Sequence, residues 1–354
     1  MTLADYGWNQ TLRTRAAGDL ASGLSAARVV SEYKGQYRIV TENGFFPAEI
    51  TGRMRHLAAG RGDFPAVGDW ITADVRPSDD RATIHRILPR MSKFSRNIAG
   101  ETTEEQIVAA NMNTVFLVMA LNHDFNLRRL ERYLTMAWES GANPVILLSK
   151  ADLCPDVAQK ISEVEEVAIG VPIFSVSALQ NQGREQLDPY LGKGQTVVFL
   201  GSSGAGKSTL VNWLCGEVRQ SVQEVRADDD RGRHTTTSRE LILLPSGGVV
   251  IDTPGMRELQ LWNASDESVG HSFADIEELA SRCRFRDCTH THEPGCAVRR
   301  ALDDGRLDQA RYTSYLKLQR ELAHVRRKTD RQAMLQEKAR WKKLSKTMRK
   351  QNHH

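Results

Sequence analysis

The run Gly201-Ser202-Ser203-Gly204-Ala205-Gly206-Lys207-Ser208-Thr209 restricts this chain more than any other stretch. It fits GxxxxGK(S/T), a loop that wraps phosphate. An apolar run at 195–200 (QTVVFL) reads as a buried strand in front of it, and 208–215 (STLVNWLC) reads as the start of a helix. In that order the glycines let backbone amides turn onto phosphate oxygens, and the helix N-terminus adds partial positive charge. Lys207 is expected to bridge the β- and γ-phosphates and the Ser208 hydroxyl to sit on Mg²⁺, with Thr209 completing the pattern.

The flanks specify the base. Residues 113–121 (NTVFLVMAL) and 144–148 (PVILL) read as buried parallel strands, and between them Asn126 caps a helix that Gly141 ends. This strand–helix–strand spacing predicts a doubly wound sheet with ligands at the carboxyl ends of its strands. At one such end stands Ser149-Lys150-Ala151-Asp152, which resembles the (N/T)KxD element that reads guanine. Asp152 can accept from both the N1–H and the exocyclic amine of guanine, whereas adenine has no N1 proton. The Lys150 stem would lie over the base, and Ser149 departs from the usual Asn. After a strand at 171–176, Ser177-Ala178-Leu179 matches the SA(K/L) loop that contacts the guanine carbonyl. A short helix over 184–191 is predicted next.

Beyond the phosphate loop, Arg231-Gly232-Arg233-His234-Thr235-Thr236-Thr237 reads as a switch over the γ-phosphate. A threonine there should complete the Mg²⁺ shell, Thr236 or else Thr237. Asp252-Thr253-Pro254-Gly255 resembles DxxG, with Asp252 holding Mg²⁺ through water and the Gly255 amide sensing the γ-phosphate. Met256 follows where many such proteins place a water-orienting Gln. His234 is then the candidate to orient the attacking water, the alternative being an ordinary switch histidine. Base-reading elements precede the phosphate loop and the switches, so the order is circularly permuted. That order leads the second switch directly into the C-terminal part.

There, Cys283, Cys288, His290 and Cys296 form C-x4-C-x-H-x5-C, three thiolates and an imidazole suited to a closed structural Zn²⁺ site. Upstream, 28–33, 36–40, 45–51, 69–75 and 82–88 read as five short strands separated by turns, as in a small closed barrel such as an OB-fold. Arg53, Arg55, His56, Arg61 and Arg86 supply positive charge there, and Tyr37 and Phe45 either stack on bases or fill the core. Residues 89–106 read as an irregular linker.

The 354 residues suffice for two or three domains, and 40% hydrophobic content supports real cores. With no run of eighteen apolar residues and no signal-peptide pattern at the start, a cytoplasmic chain without membrane association is expected. Net charge is +4, but eleven Lys/Arg against Asp330 and Glu337 crowd into 326–354. That tail either meets a polyanion or is a solvated helix face.

The permuted motifs, GRHTTT, DTPGMREL and CRFRDCTHTHEPGCAV behind a five-strand barrel resemble the RsgA/YjeQ family, bacterial GTPases of small ribosomal subunit maturation. The resemblance covers roughly 25–325. It implies an α/β fold: a circularly permuted P-loop GTPase domain with an N-terminal OB-fold β-barrel and a C-terminal helical zinc domain. Expected boundaries are 1–25 for a helix and linker, 26–92 for the RNA-binding barrel, 105–262 for the GTPase domain, 263–325 for the zinc domain and 326–354 for the tail. It further implies GTP/GDP, Mg²⁺ and one Zn²⁺ per chain, the zinc on Cys283, Cys288, His290 and Cys296. The implied partners of a monomeric chain are the small subunit, its rRNA near the decoding region and other assembly factors. Slow GTP hydrolysis, stimulated by the subunit, follows from the same likeness. Two other classes compete: an RNA-binding module with a purely structural nucleotide, and a small-molecule NTPase or kinase.

Overall fold

The computed structural model describes residues 2–33, 35–97, 105–217, 239–252 and 265–327. Helix α1 (Gln10–Ala21) begins where Asn9 Oδ1 accepts from the Leu12 amide at 3.0 Å. Five strands follow: β1 (Ser25–Tyr33), β2 (Gln36–Thr41), β3 (Gly44–Ile50), β4 (Trp70–Arg76) and β5 (Arg81–Ile87). They pair in the order β1-β2-β3-β5-β4, and β4 returns to β1 to close a barrel. All pairings are antiparallel except β3–β5. Ala27, Val29, Ile39, Ile71 and Ile84 fill the barrel, because alternate side chains of each strand point inward.

Tyr37 belongs to that core, at 6% exposure. Phe45 is exposed, at 37%, with the Arg38 guanidinium 4.9 Å above its ring. Between β3 and β4 a short helix, α2 (Gly52–Leu57), presents Arg53, Arg55 and His56 to solvent. Arg86 instead pairs with Asp19 of α1 at 2.6 Å.

Part of the stretch expected to be a linker forms strands. Strands β6 (Lys93–Asn97) and β7 (Glu105–Ala110) pair antiparallel there, with Phe94 buried. Arg90, which reads as a linker charge, pairs with fully buried Asp69 at 2.7 Å and donates to the Gly62 and Phe64 carbonyls, both at 2.9 Å. Packing decided this segment where local composition pointed the other way.

The nucleotide-type sheet comprises β8 (Thr114–Ala120), β9 (Asn143–Ser149), β10 (Ile173–Val176), β11 (Thr196–Gly201), β12 (Arg239–Leu243) and β13 (Val249–Asp252), ordered β10-β9-β8-β11-β13-β12. All pairings are parallel except that of β12 with β13. Every residue of β8 is buried, since helices cover both faces. Leu117 and Met119 share a core with Leu130 and Leu134 of α3 (Leu127–Ser140), while Phe116 and Val118 meet Leu210 and Leu214 of α5 (Lys207–Cys215). Helix α4 (Val157–Glu165) links β9 to β10. The helix expected over 184–191 is a 3-10 turn (Glu185–Tyr190), interrupted by Pro189, which cannot donate to a helical ladder.

The two sheets are one. Residues 25–28 of β1 close the barrel on β4, the register then shifts between Val29 and Ser31, and Ser31 and Glu32 pair with Glu240 and Arg239 of β12. Such an irregularity bends a strand and lets one edge serve two partners. Arg28, 1% exposed, locks this junction. It donates to Gly68 O at 3.1 Å, Asn111 O at 3.1 Å and Thr196 Oγ1 at 2.9 Å, and also to Tyr6 O.

The C-terminal part is helical: α6 (Asp266–Ser272), α7 (Ala274–Ser281), α8 (Ala297–Asp303) and α9 over 309–327. Phe273, Tyr312 and Tyr315 join the core that holds α3. Residues 328–354, most of the basic tail, lie outside the described residues.

Candidate active site and zinc centre

The carboxyl ends of β9, β10, β11 and β13 carry, at one end of the sheet, those of the expected nucleotide-site residues that are described. β11 stops at Gly201, where a Cβ would come within 2.4 Å of Val118 O, so only glycine lets the loop leave so close to β8. Ser203 and Gly204 are exposed at its crest, Ala205 is buried, and Gly206 turns into α5 with φ +91°. Ser208 and Thr209 are half-buried in the first turn of α5. Lys207 Nζ lies along the loop, donating to Gly201 O at 2.6 Å and Ser202 O at 2.5 Å.

The guanine-type elements stand beside it. Ser149, the departure from Asn, is buried, and its hydroxyl donates to Ala205 O at 2.6 Å. A serine thus ties the base-reading strand to the phosphate loop across 56 residues of chain. Lys150 adopts the left-handed conformation (φ 58°), and Ala151–Leu153 turn immediately after it. Asp152 Oδ1 accepts from Ser177 Oγ at 2.5 Å, joining the two base-reading loops, and Ser177 is in turn held by backbone bonds to Gln182 at 3.1 and 2.9 Å. Ala178 is half-buried beside it, with Leu179 80% exposed.

Asp252 ends β13 opposite Glu240. Burial first, then Glu240, push its carboxyl up from 3.8 to about 6, against the pull of Lys207. A partly buried carboxylate made unfavourable by an acidic neighbour is the setting that a divalent cation relieves, so Ser208 and Asp252 fit Mg²⁺. The shift also has a stability consequence. The folded protein holds this proton more tightly than the unfolded chain, so ionising Asp252 costs stability in full above about pH 6, and the cost fades as pH falls from there toward 3.8. Asp252→Asn is expected to stabilise the nucleotide-free protein by on the order of 2 kcal/mol near neutral pH. The gain, followed by thermal melting, should shrink below about pH 6; one equal at about pH 5 and about pH 8 would refute this origin. His234, Thr236, Thr237 and Gly255 lie outside the described residues.

Sequence reasoning passed over Asp124. It follows β8, and its Oδ2 accepts from Ser202 Oγ of the phosphate loop at 2.5 Å. Its position at the carboxyl end of a sheet strand is the signal that could have marked it.

Away from the nucleotide loops, Cys283, Cys288, His290 and Cys296 bring one donor atom each within 4.8 Å of one another. Tetrahedral zinc requires about 3.8 Å between thiolate sulfurs and about 3.6 Å from sulfur to imidazole nitrogen. Cys283 Sγ lies 3.8 Å from Cys296 Sγ, and His290 Nδ1 lies 3.6 and 3.4 Å from those two sulfurs. The residues fit a closed zinc site. Glu293 braces the ligand loop, accepting from the amides of Thr289, Thr291 and His292 at 3.0, 3.0 and 3.1 Å, while His290 takes a left-handed turn at φ 59°. Cys154 and Cys215 stand outside this cluster.

A parallel sheet with a phosphate loop on its central strand, and base-reading loops on strands earlier in the chain, defines a circularly permuted GTPase. The sequence profile described as RsgA GTPase matches residues 87–262. An ABC transporter profile matches 185–352, a span that contains the phosphate loop but neither base-reading element. Small ribosomal subunit biogenesis GTPase RsgA 1 of Oceanobacillus iheyensis is 48% identical over 324 residues, 92% of each chain. Among solved structures, YjeQ from Thermotoga maritima superposes with a TM-score of 0.64 at 26% identity, covering 85% of this chain and 99% of that one. YloQ, described as a circularly permuted GTPase, gives 0.61 at 26% identity, covering 85% and 96%. This chain belongs to the RsgA family of GTPases.

Proposed function

We propose that this chain hydrolyses GTP to GDP and phosphate while bound to the small ribosomal subunit, and that it serves late maturation of that subunit in the cytoplasm. The observation that carries the reading is the joining of three loops through hydroxyls. Ser149 binds the base-reading strand to Ala205 of the phosphate loop, and Ser177 binds Asp152. A guanine base and its phosphates would therefore meet one preorganised surface. The name carried by the relative from O. iheyensis supplies the ribosomal context.

In this reading Asp152 accepts from the guanine N1–H and amine, with Lys150 and Ala151 under the base and the Ser177-Ala178 backbone at its carbonyl. The amides of 202–206 and the start of α5 surround the phosphates, and Lys207 bridges the β- and γ-positions. Mg²⁺, when bound, neutralises charge between those phosphates; Ser208, Thr236 and Asp252 would hold it, Thr237 being the second candidate. Gly255 senses the γ-phosphate, and His234 orients the attacking water. Cys283, Cys288, His290 and Cys296 would hold zinc, which when bound would tie the ligand loop to the start of α8. α2 offers Arg53, Arg55 and His56 to rRNA phosphates. Among the described residues no helix is long and apolar enough to cross a membrane.

The decisive experiment compares GTP with ATP turnover, with and without purified small subunits, at one fixed salt concentration. GTP-selective turnover that rises when subunits are added is expected. Equal use of ATP would sink the guanine reading. GTP turnover indifferent to subunits would sink the ribosomal part alone.

A further inference from the structure

One carboxylate stands where electrostatics alone would forbid it. Asp124 lies against the phosphate loop, and a negative charge there opposes a phosphate ligand. It is nevertheless firmly held. Arg129, in the first turn of α3, pairs with Asp124 Oδ1 at 2.7 Å and also donates to the Asp124 carbonyl. Asn122 Oδ1 accepts from the Asp124 amide at 3.0 Å. Partial burial favours the neutral acid, but the Ser202 hydroxyl and Arg129 outweigh it and keep the carboxyl below its usual range. Asp124 therefore accepts from Ser202 as a carboxylate, and Arg129 offsets its charge.

Ser202 is gripped from two sides. Its hydroxyl goes to Asp124, and its carbonyl accepts Lys207 Nζ at 2.5 Å. A connected path runs Arg129–Asp124–Ser202–Lys207. We propose that Asp124, braced by Arg129, is a positioning residue for the phosphate loop: its hold on Ser202 fixes the carbonyl to which Lys207 is tethered, and so sets where that ammonium meets the β- and γ-phosphates. The proposal rests on the reading of this loop as the GTP site. It assigns a role in nucleotide binding to the turn after β8, which carries none of the recognised motifs.

The test measures dissociation constants of fluorescent GDP and of a fluorescent non-hydrolysable GTP analogue on the full chain. The variants are Asp124→Ala, Ser202→Ala, the two combined, Asp124→Asn and Lys207→Ala. Removing one partner of a charge-assisted hydrogen bond should weaken the GTP analogue about tenfold, and GDP less, since only the triphosphate uses the whole reach of Lys207. The combined variant should bind no more weakly than either single one, because both cut the same link. Asp124→Asn still accepts from Ser202 and should recover most of the loss, which a merely misfolded turn would not do. Losses that multiply in the combined variant would overturn the proposal. So would wild-type binding by Asp124→Ala alongside lost binding by Lys207→Ala. Wild-type binding by Lys207→Ala would instead remove the GTP reading of the loop, and this proposal with it.

Discussion

Cys296→Ser is expected to cost the protein its zinc and, with it, the fold of the C-terminal helices. Structural zinc binds with an apparent free energy of about 10–16 kcal/mol in small domains, far more than α7 and α8, the short helices on either side of the ligand loop, recover by packing alone. Cys296 is also the buried ligand, 5% exposed, and it caps α8, its sulfur accepting from the Arg299 amide at 3.4 Å. The same residue thus joins metal, helix start and core. Metal analysis should find one zinc per wild-type chain and well under one in the variant. Limited proteolysis should cut the variant within 283–303 while the wild type resists. The phosphate loop and base-reading loops make their contacts outside this module, so guanine nucleotide binding should survive. A variant that kept full zinc content would show that the four residues are not the ligand set.

Arg311→Met should carry the next largest penalty. Arg311 of α9 is almost fully buried and binds two carboxylates at once: Glu131 of α3 at 2.9 Å, and Asp275 of α7 at 2.6 and 2.8 Å. It also donates to Ser272 O at 3.1 Å. Glu131 is fully buried, and its Oε2 has no hydrogen-bond partner among the described residues. Methionine would fill much of the volume but leave that carboxylate with Arg128 alone, which is 33% exposed. Breaking a buried pair from one side costs about 3–5 kcal/mol, because the remaining charge stays desolvated. The urea midpoint should fall accordingly, and Arg128→Met should lower it much less, since solvent screens that residue. Replacing Glu131 with Leu in the Arg311→Met background should return part of the loss. Equal effects of Arg311→Met and Arg128→Met would contradict this account.

Those contacts lie beyond what the sequence alone discloses. Glu131 and Arg311 are separated by 180 residues, and each reads as a solvated helix charge. The phosphate loop, the permuted order and the Cys–His spacing were legible because their signals are local: a glycine pattern between a strand and a helix, apolar runs before each loop, ligands within fourteen residues. The five barrel strands were legible from turns and alternation. Hidden were the pairings made at long range. Nothing near Ser149 announces Ala205, nothing near Asp124 announces Ser202, and Arg90 looks like linker until Asp69 is placed beside it. Tyr37 and Phe45 were equivalent on paper; strand register put the first inside the barrel and left the second half-exposed beneath Arg38.

The seam between β1 and β12 bears on how this chain comes into being. Synthesis runs from the N-terminus, so all five barrel strands emerge long before Arg239 and Glu240 do. The barrel can close on itself early and hold the backbone of Ser31 and Glu32 ready as a template. β12 would otherwise end the nucleotide sheet as a bare edge, the kind of edge that recruits strands from other chains. In this architecture the N-terminal half supplies the strand on which the C-terminal half ends its sheet, so part of the edge of β12 is paired with β1 rather than bare.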